Sequence, residues 1–436
     1  MFIFIFAPLN PLLSRARRHF FLFHFLKMAN INLAVFLLAI IRLFFVRSVQ
    51  KRADLLHKVA RRRTRRLTSA RRSRRLIFTR VPLAALARHE QLGLPCIYCL
   101  PNIKVPVLAN YADGQSDTRQ DFRLTRRTIN HLVEQLRVPH NQGWAQETEV
   151  LVFLFWLGCG TSYRVVARAF DMPRSTVSDI VHRTADRILQ LMRRVIRLPS
   201  RAELPLVASG FEQLAGSAAF QKVVGSIDGC HIRIKAPKED PASYFNRKLF
   251  YSIQMQAVCD SNAKFLDIFV GYPGSVHDSR VLRNSPIYTN KTYPPEGYIL
   301  LGDGGYPCIA QPITLLTPYR EPLRNAVEAR YNRHHAKARS VVERAFGMMK
   351  TRWRAIFLGA LEVKSKFAVK IIACSAILHN MCISEGDWLE PTVEPQQDNA
   401  RNQQDEQSGI RLRGQISGFL SAPTGPQMAL EEHDYC

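Results

Sequence analysis

Three carboxylates lie in sequence surroundings where an unpaired acid is hard to accommodate. Asp228 interrupts an apolar run from Val223 to Lys235 that is typical of a central strand, and a charge there is costly unless it is paired or binds a metal. Asp303 follows an apolar strand and precedes two glycines, as at the strand ends where α/β sheets bind ligands. Glu343 lies beside the apolar stripe of a long predicted helix, where it could face the sheet.

Together these three acids have the chemistry of a two-metal site. Hard divalent cations such as Mg²⁺ prefer oxygen ligands, and three carboxylates can hold two of them about 4 Å apart. One ion would activate a water or a DNA 3′ hydroxyl, and the other would stabilise the leaving oxygen of an in-line displacement. Taken singly, each acid has a plainer alternative as a cap, a turn residue or an ion pair, so spacing alone leaves both interpretations open.

The elements around these acids indicate an α/β domain. Strand-like segments rich in Ile, Val, Phe and Tyr are followed by a short helix, another strand and two long helices, which predicts helices packed on a sheet. We divide the chain into four parts: 1–110, an apolar start, a basic arm and a linker; 111–200, a helical region; 220–385, the α/β domain; and 386–436, a polar tail expected to be disordered.

The helical region contains a pattern typical of a helix-turn-helix. Two predicted helices flank the short turn Asp171–Pro173, with Val165, Val166, Val177, Ile180 and Val181 among the residues expected to pack between them. Such a motif places the start of its second helix in the DNA major groove, where Arg174, Ser175 and Ser178 would lie. A helical hairpin with only a packing role is the alternative.

The charge of the chain favours a polyanionic partner. Lys and Arg number 61 against 35 Asp and Glu, a formal net charge of +26, and such an excess usually serves nucleic-acid binding. Much of it lies in residues 42–80, which we expect to be solvent-exposed and to act as a nuclear import signal, a phosphate-contacting arm or both. A basic tail that only aids solubility or targeting is the alternative.

The start of the chain and its cysteines point away from a secreted or membrane protein. The apolar runs before residue 47 are too short or too interrupted for a membrane span. Met28 begins a more ordinary start, so residues 1–27 can be an upstream extension of the reading frame. The nine cysteines are odd in number and mostly in apolar runs, which fits a reducing compartment, and the lone Cys96–Cys99 pair is a weak zinc signal.

Six ordered motifs carry a specific family resemblance. They are Ser226–Ile232, Tyr244–Lys248, Gly271–Ser279, Leu300–Pro307, Leu316–Tyr319 and Arg339–Gly347. In this order, across about residues 220–385, they resemble the PIF/Harbinger transposases and the nuclease domesticated from them.

The resemblance implies more than the residues do. It implies a ribonuclease-H-like DDE nuclease domain with Asp228, Asp303 and Glu343 as catalytic and metal-binding acids, divalent Mg²⁺ or Mn²⁺, and DNA as substrate. It also implies a nuclear location and a separate Myb-like partner that helps bring the enzyme to DNA. The chain departs from the family modestly, with Cys230 where Thr is usual and Leu249 where Gly is common, and neither change removes an acid.

Other residues near the acids have open roles. Asp278, in the family's His-Asp-Ser motif, could bind metal, but it precedes a helix-like run and we favour a helix N-cap. Part of the basic set around the acids would line a DNA backbone path, and the rest would be solvated surface; from it we select Arg247, Lys248, Arg339 and Lys350. His379 matches the family too, although we expect a hydrogen-bonded core histidine there rather than a ligand.

Two functions remain open at this stage. The first is a metal-dependent DNA endonuclease of transposase type, and the second is a domesticated DNA-binding protein of the same fold that has lost cutting. The presence of all three acids favours the first. A membrane protein, which rests only on residues 1–46, is a distant third, and homo-oligomerisation is a further candidate property.

Overall fold

The computed structural model describes residues 105–137, 144–357, 359–390 and 405–421, all of which belong to the unit Gly93–Cys436. The predicted apolar start, the basic arm 42–80 and the Cys96–Cys99 pair lie outside the described residues, so those predictions stand as made.

The chain from Pro106 to Ala215 folds into helices. They are α1 (Pro106–Ala112), α2 (Arg119–Phe122), α3 (Arg126–Gln135), α4 (Gln146–Cys159), α5 (Tyr163–Ala169), α6 (Arg174–Gln190), α7 (Met192–Val195) and α8 (Leu204–Ala215). Helix α4 is apolar from Val150 to Leu157 and is buried on all sides. Its one buried acid, Glu149, pairs with Arg183 and with Arg187 at 3.1 Å, which satisfies a carboxylate that burial would otherwise penalise.

A five-stranded mixed sheet follows. Its strands are β1 (Val223–Arg233), β2 (Ser252–Cys259), β3 (Phe265–Pro273), β4 (Ile299–Leu301) and β5 (Leu315–Leu316), with the short helices α9 (Pro241–Tyr244), α10 (Asp278–Asn284) and α11 (Pro286–Thr289) between them. The strand order is β3-β2-β1-β4-β5. β1 pairs antiparallel with β2 and parallel with β4, β2 pairs antiparallel with β3, and β4 pairs parallel with β5. The predicted mixed α/β fold is confirmed.

Long helices cover this sheet. Helix α12 (Ala326–Arg352) contacts β1, β2 and β4; after the single turn α13 (Arg354–Phe357), helix α14 (Ser365–Ser384) contacts β3. The α14 helix is long and apolar enough to span a membrane, with mean hydropathy 1.6, but 83% of that window is buried inside the fold. It is therefore a core helix, and its apolar surface is explained by packing.

The N-terminal helices share a hydrophobic core with the sheet domain. The ring of Phe367 on α14 lies 6.2 Å from that of Trp156 and 3.9 Å from that of His182. Lys370 also pairs with Asp186 at 2.5 Å. The helices 106–215 are thus packed on α14; whether they form a separate DNA-reading unit remains a prediction.

The expected disorder of the whole tail 386–436 is wrong for residues 407–421. They form helix α15 (Gln407–Ser421), which packs on α12 and β5. The buried Arg413 donates to the Pro318 carbonyl oxygen at 3.1 Å and stacks 4.3 Å from the Tyr319 ring centre. Its fully buried positions, Gly409, Arg413 and Ser417, are small or charged, and Leu412, Ile416 and Leu420 beside them pack against the core. The polar composition of the tail as a whole concealed this spacing.

Candidate active site

Asp228 lies in the middle of β1 with its carboxylate buried. Its Oδ1 accepts a hydrogen bond from the Gly229 amide at 2.7 Å, and its Oδ2 lies 3.6 Å from Arg339 Nη1. Burial, and next the negative charge of Asp303, raise the pKa of Asp228 well above its usual range. The fold therefore holds a carboxylate where more positive charge would be stabilising.

Asp303 meets Asp228 through the register of two parallel strands. Ser226 of β1 pairs with Leu301 of β4, and each acid follows two residues later. Because parallel strands advance by the same rise per residue, the two acids reach the same level of the sheet. Asp303 Oδ1 accepts from the Gly305 amide at 3.0 Å, which fixes the loop after β4.

Asp278 approaches the same place from the other side of β1, and the predicted N-cap role is wrong. The N-cap of α10 is His277, and Asp278 is the first helical residue; its Oδ1 accepts a hydrogen bond from Gln254 Nε2. A Cβ on Gly229 would overlap this carboxylate, and one on Gly305 would lie 3.5 Å from Asp278 Oδ2. The local sequence suggested a helix cap because the hydrogen-bond partner of Asp278, Gln254 on β2, lies 24 residues earlier in the chain.

Tyr306 is buried next to all three aspartates. Burial is the first cause of the raised pKa of its phenol, and the charges of Asp278, Asp228 and Asp303 raise it further. We call Asp228, Asp278 and Asp303 the aspartate cluster.

Glu343 joins the cluster through an arginine. Its side chain on α12 is 47% exposed and pairs with Arg339 one turn earlier, and the same guanidinium faces Asp228. Among the described residues, no group of three or more His, Cys, Asp or Glu is arranged to hold a metal ion. Of the predicted triad, the fold thus brings Asp228 and Asp303 together directly and links Glu343 by way of Arg339.

The donor chemistry of the cluster fits a hard divalent cation. Its ligands are carboxylate oxygens, which Mg²⁺ and Mn²⁺ accept, and burial together with the charge of Asp303 raises the pKa of Asp228, a carboxylate that a cation would stabilise. Among the residues that the structure describes, the buried Oε1 of Gln254 beside Asp278 has no hydrogen-bond partner. Completing the predicted triad requires Glu343 to leave Arg339.

Basic side chains border the cluster. Arg247 Nη2 lies 3.2 Å from Nδ1 of His277, the residue before Asp278. Lys350 and Lys248 lie near Cys230. Burial raises the pKa of the Cys230 thiol, and the positive charges of these two lysines lower it. Arg339 differs from the other predicted DNA contacts, because its guanidinium faces two carboxylates.

His379 on α14 and Gln254 on β2 have structural roles near the site. His379 Nε2 lies 2.8 Å from the Ala263 carbonyl oxygen, and burial lowers the pKa of His379 to about 4, as expected of a core histidine. Sequence reasoning missed Gln254, which positions Asp278; the available signal was an amide inside an otherwise mostly apolar strand.

The helix-turn-helix pattern has the expected helices on either side of the expected turn. Pro173, the last turn residue, is the N-cap of α6; Arg174 and Ser175 are exposed and Ser178 is half-buried. Val166 and Val177 are buried as expected, but Val165 is 46% exposed because it lies on the outer face of α5. Arg174 also lines an open cavity of about 670 Å³. Contact of these residues with DNA stays a prediction.

Comparison with known proteins agrees with the motifs. Residues 227–380 match the family described as DDE superfamily endonuclease, and the match includes Asp228, Asp303 and Glu343. No solved structure matches the chain.

The chain matches curated relatives over most of their length. "Putative nuclease HARBI1" of Rattus norvegicus is 27% identical over 285 residues, which cover 63% of this chain and 80% of the relative. "Protein ALP1-like" of Arabidopsis thaliana is 27% identical over 336 residues, 69% of this chain and 80% of the relative. The resemblance to Harbinger-transposase-derived nucleases is thereby confirmed, and residues 227–380 of this chain are similar to DDE superfamily endonucleases.

Proposed function

We propose that this protein is a divalent-metal-dependent endonuclease that cleaves phosphodiester bonds of DNA by transposase-type phosphoryl transfer. The observation that carries the proposal is the level placement of Asp228 on β1 and of Asp303 just after the adjacent parallel strand β4, with Glu343 on the helix that covers these strands. The strand order and directions support a ribonuclease-H-like core. The endonuclease family match and the relatives named as nucleases agree with it.

The chain's own groups have distinct tasks in this reaction. Asp228 and Asp303, with Glu343 once it parts from Arg339, would hold Mg²⁺ or Mn²⁺, and Asp278 is a further candidate ligand. When bound, such ions neutralise phosphate charge and lower the pKa of an attacking water or hydroxyl. Arg247, Lys248 and Lys350 would contact the DNA backbone, which fixes register without reading sequence. No covalent attachment of DNA to the protein is needed.

The paired state of Arg339 favours a second candidate function. A protein in which the guanidinium permanently neutralises Asp228 and Glu343 would bind DNA and not cut it. We rank this candidate below the nuclease because all three acids are retained in the endonuclease match.

The remaining proposals come from the family resemblance. They are a nuclear location, recruitment to DNA by a Myb-like partner, base contacts by Arg174, Ser175 and Ser178, and self-association. Each is separable from the cutting reaction itself.

A cleavage assay tests the proposal. The full chain is incubated with supercoiled plasmid and with terminal-repeat DNA in Mg²⁺, Mn²⁺ or EDTA, with and without a Myb-like partner. We expect nicking or double-strand cleavage in either metal, none in EDTA and none for Asp303→Asn. Cleavage by Asp303→Asn at the wild-type rate would show that a different site or a contaminant does the cutting. DNA binding without cleavage under every condition would favour the second candidate.

A further inference from the structure

A rigid turn lies between α9 and β2, and we call Phe245–Phe250 the basic turn. The buried Asn246 organises it: its Oδ1 accepts from the Lys248 amide at 2.9 Å, and its Nδ2 donates to Ser252 Oγ at 2.8 Å. The Asn246 amide in turn donates to the Phe250 carbonyl oxygen at 2.9 Å. The turn is therefore held by its own hydrogen bonds, and its tip has a fixed direction.

The tip exposes an apolar side chain at an unfavourable backbone angle. Leu249 is 78% exposed, and its φ of +61° lies in the left-handed region that residues with a Cβ disfavour. Arg247 and Lys248, immediately before it, are exposed as well. An exposed leucine contributes little to the fold, and strained backbone of this kind clusters at functional sites, which points to a role for the turn outside the fold.

The basic turn borders the aspartate cluster. Arg247 reaches His277, the neighbour of Asp278, at 3.2 Å. The charge of Lys248 reaches Cys230, two residues beyond Asp228 on β1. A phosphodiester that approaches the acids therefore passes next to the turn.

We propose that Leu249 is an apolar wedge that inserts into a DNA base step beside the phosphodiester to be cut, while Arg247 and Lys248 hold the adjacent phosphates. Apolar side chains inserted between bases unstack them and bend the duplex, and cationic neighbours supply the affinity. The inference rests on the proposed function, since it takes DNA as the partner. Two cations beside the leucine favour a polyanion over an apolar protein surface.

The turn can be tested without damaging the fold. Leu249→Gly removes the side chain and relieves the strain at positive φ, so its melting temperature should equal or exceed that of the wild type. Leu249→Ala removes the wedge and keeps a Cβ. Leu206→Ala is the matched control, because Leu206 on α8 is also 78% exposed.

Base unstacking is the readout. The full-length proteins bind a duplex of about 30 base pairs with one 2-aminopurine beside a TA step, a step that unstacks easily, in EDTA so that the DNA stays intact. We expect wild type and Leu206→Ala to raise 2-aminopurine fluorescence and both Leu249 variants to lose the rise. Affinity of the Leu249 variants should fall less than about tenfold, because phosphate contacts supply most of it.

Each result bears on the wedge separately from the nuclease. Wild-type protein that binds this duplex without a fluorescence rise, or Leu249→Gly that retains the rise, would overturn the wedge. So would a folded Leu249→Gly that no longer binds DNA, since Leu249 would then supply affinity instead. If the wild type cuts DNA in Mg²⁺ without unstacking it, the proposed role of Leu249 is wrong and the nuclease proposal stands. If the wild type unstacks DNA and never cuts it, the nuclease proposal is wrong and the base-unstacking role of Leu249 stands.

Discussion

Arg339 Nη1 lies 3.6 Å from Asp228 Oδ2, and the same guanidinium pairs with Glu343 one helical turn away. The Asp228 carboxylate is buried, and the arginine is largely so. A single cation thus stands between two acids of the predicted metal site and neutralises charge that the sheet would otherwise leave uncompensated. Metal binding and this arginine compete for the same carboxylates.

Arg339→Gln should tighten Mn²⁺ binding by about tenfold or more, because a positive charge about 4 Å from a divalent ion costs roughly 2 kcal/mol even with the full screening of bulk water. Isothermal titration calorimetry measures the affinity. Lys337→Gln removes an exposed charge two residues earlier on α12 and should leave it unchanged. The metal-free Arg339→Gln protein should melt below the wild type and regain most of the difference in Mn²⁺. Equal affinities for wild type and Arg339→Gln would mean that the arginine does not compete with metal.

Asp228→Asn should abolish cleavage and stabilise the metal-free protein at neutral pH, because it removes a buried charge. The raised pKa of Asp228 means that the folded protein holds this proton more tightly than the unfolded chain. The stability contribution of this group is therefore full below the ordinary value of 3.8 and is lost as pH rises toward the folded pKa. Urea unfolding of both proteins from acid to neutral pH should show their free energies of unfolding diverging in this direction; parallel curves would contradict it.

Gly229→Ala tests whether Asp278 must approach β1 closely. The added methyl would overlap the Asp278 carboxylate and crowd Gln254, so we expect a loss of about 1–3 kcal/mol in stability and a large loss of cleavage. Gly418→Ala is the control, because a Cβ there meets no described atom within 4 Å and alanine favours the helix. Thermal melts and cleavage rates compare the two variants, and full activity in Gly229→Ala would remove Asp278 from the mechanism.

Arg413→Gln should undock helix α15. The substitution leaves the Pro318 carbonyl without its donor and removes the stacking on Tyr319, a cost of about 2–3 kcal/mol for buried charge-assisted contacts. Hydrogen exchange should accelerate across Gln407–Ser421 in this variant. The exposed Arg411→Gln should exchange like the wild type, and protection unaltered in Arg413→Gln would show that other contacts hold the helix.

The sequence was most informative where apolar pattern and chemistry coincide. An acid in an apolar strand and an acid at a strand end predicted the placement of Asp228 and Asp303, because strand register brings them level. Contacts between distant segments leave no local pattern in the sequence. Gln254 on β2 donates a hydrogen bond to Asp278, and Arg339, which we predicted to contact DNA, pairs with Asp228. Helix α15 was missed because the polar composition of the tail outweighed the four-residue spacing of Leu412, Ile416 and Leu420, which lies within that tail.

The cleavage rate of Glu343→Gln in saturating Mg²⁺ tests most directly whether Glu343 completes a metal site that cuts DNA. The substitution keeps size and removes the charge. We expect the rate to fall by about 100-fold or more if a metal ligand is lost, with DNA affinity within about twofold of wild type, because phosphate contacts come mainly from Lys and Arg. Cleavage at the wild-type rate would contradict the account: Glu343 would then be only the ion-pair partner of Arg339.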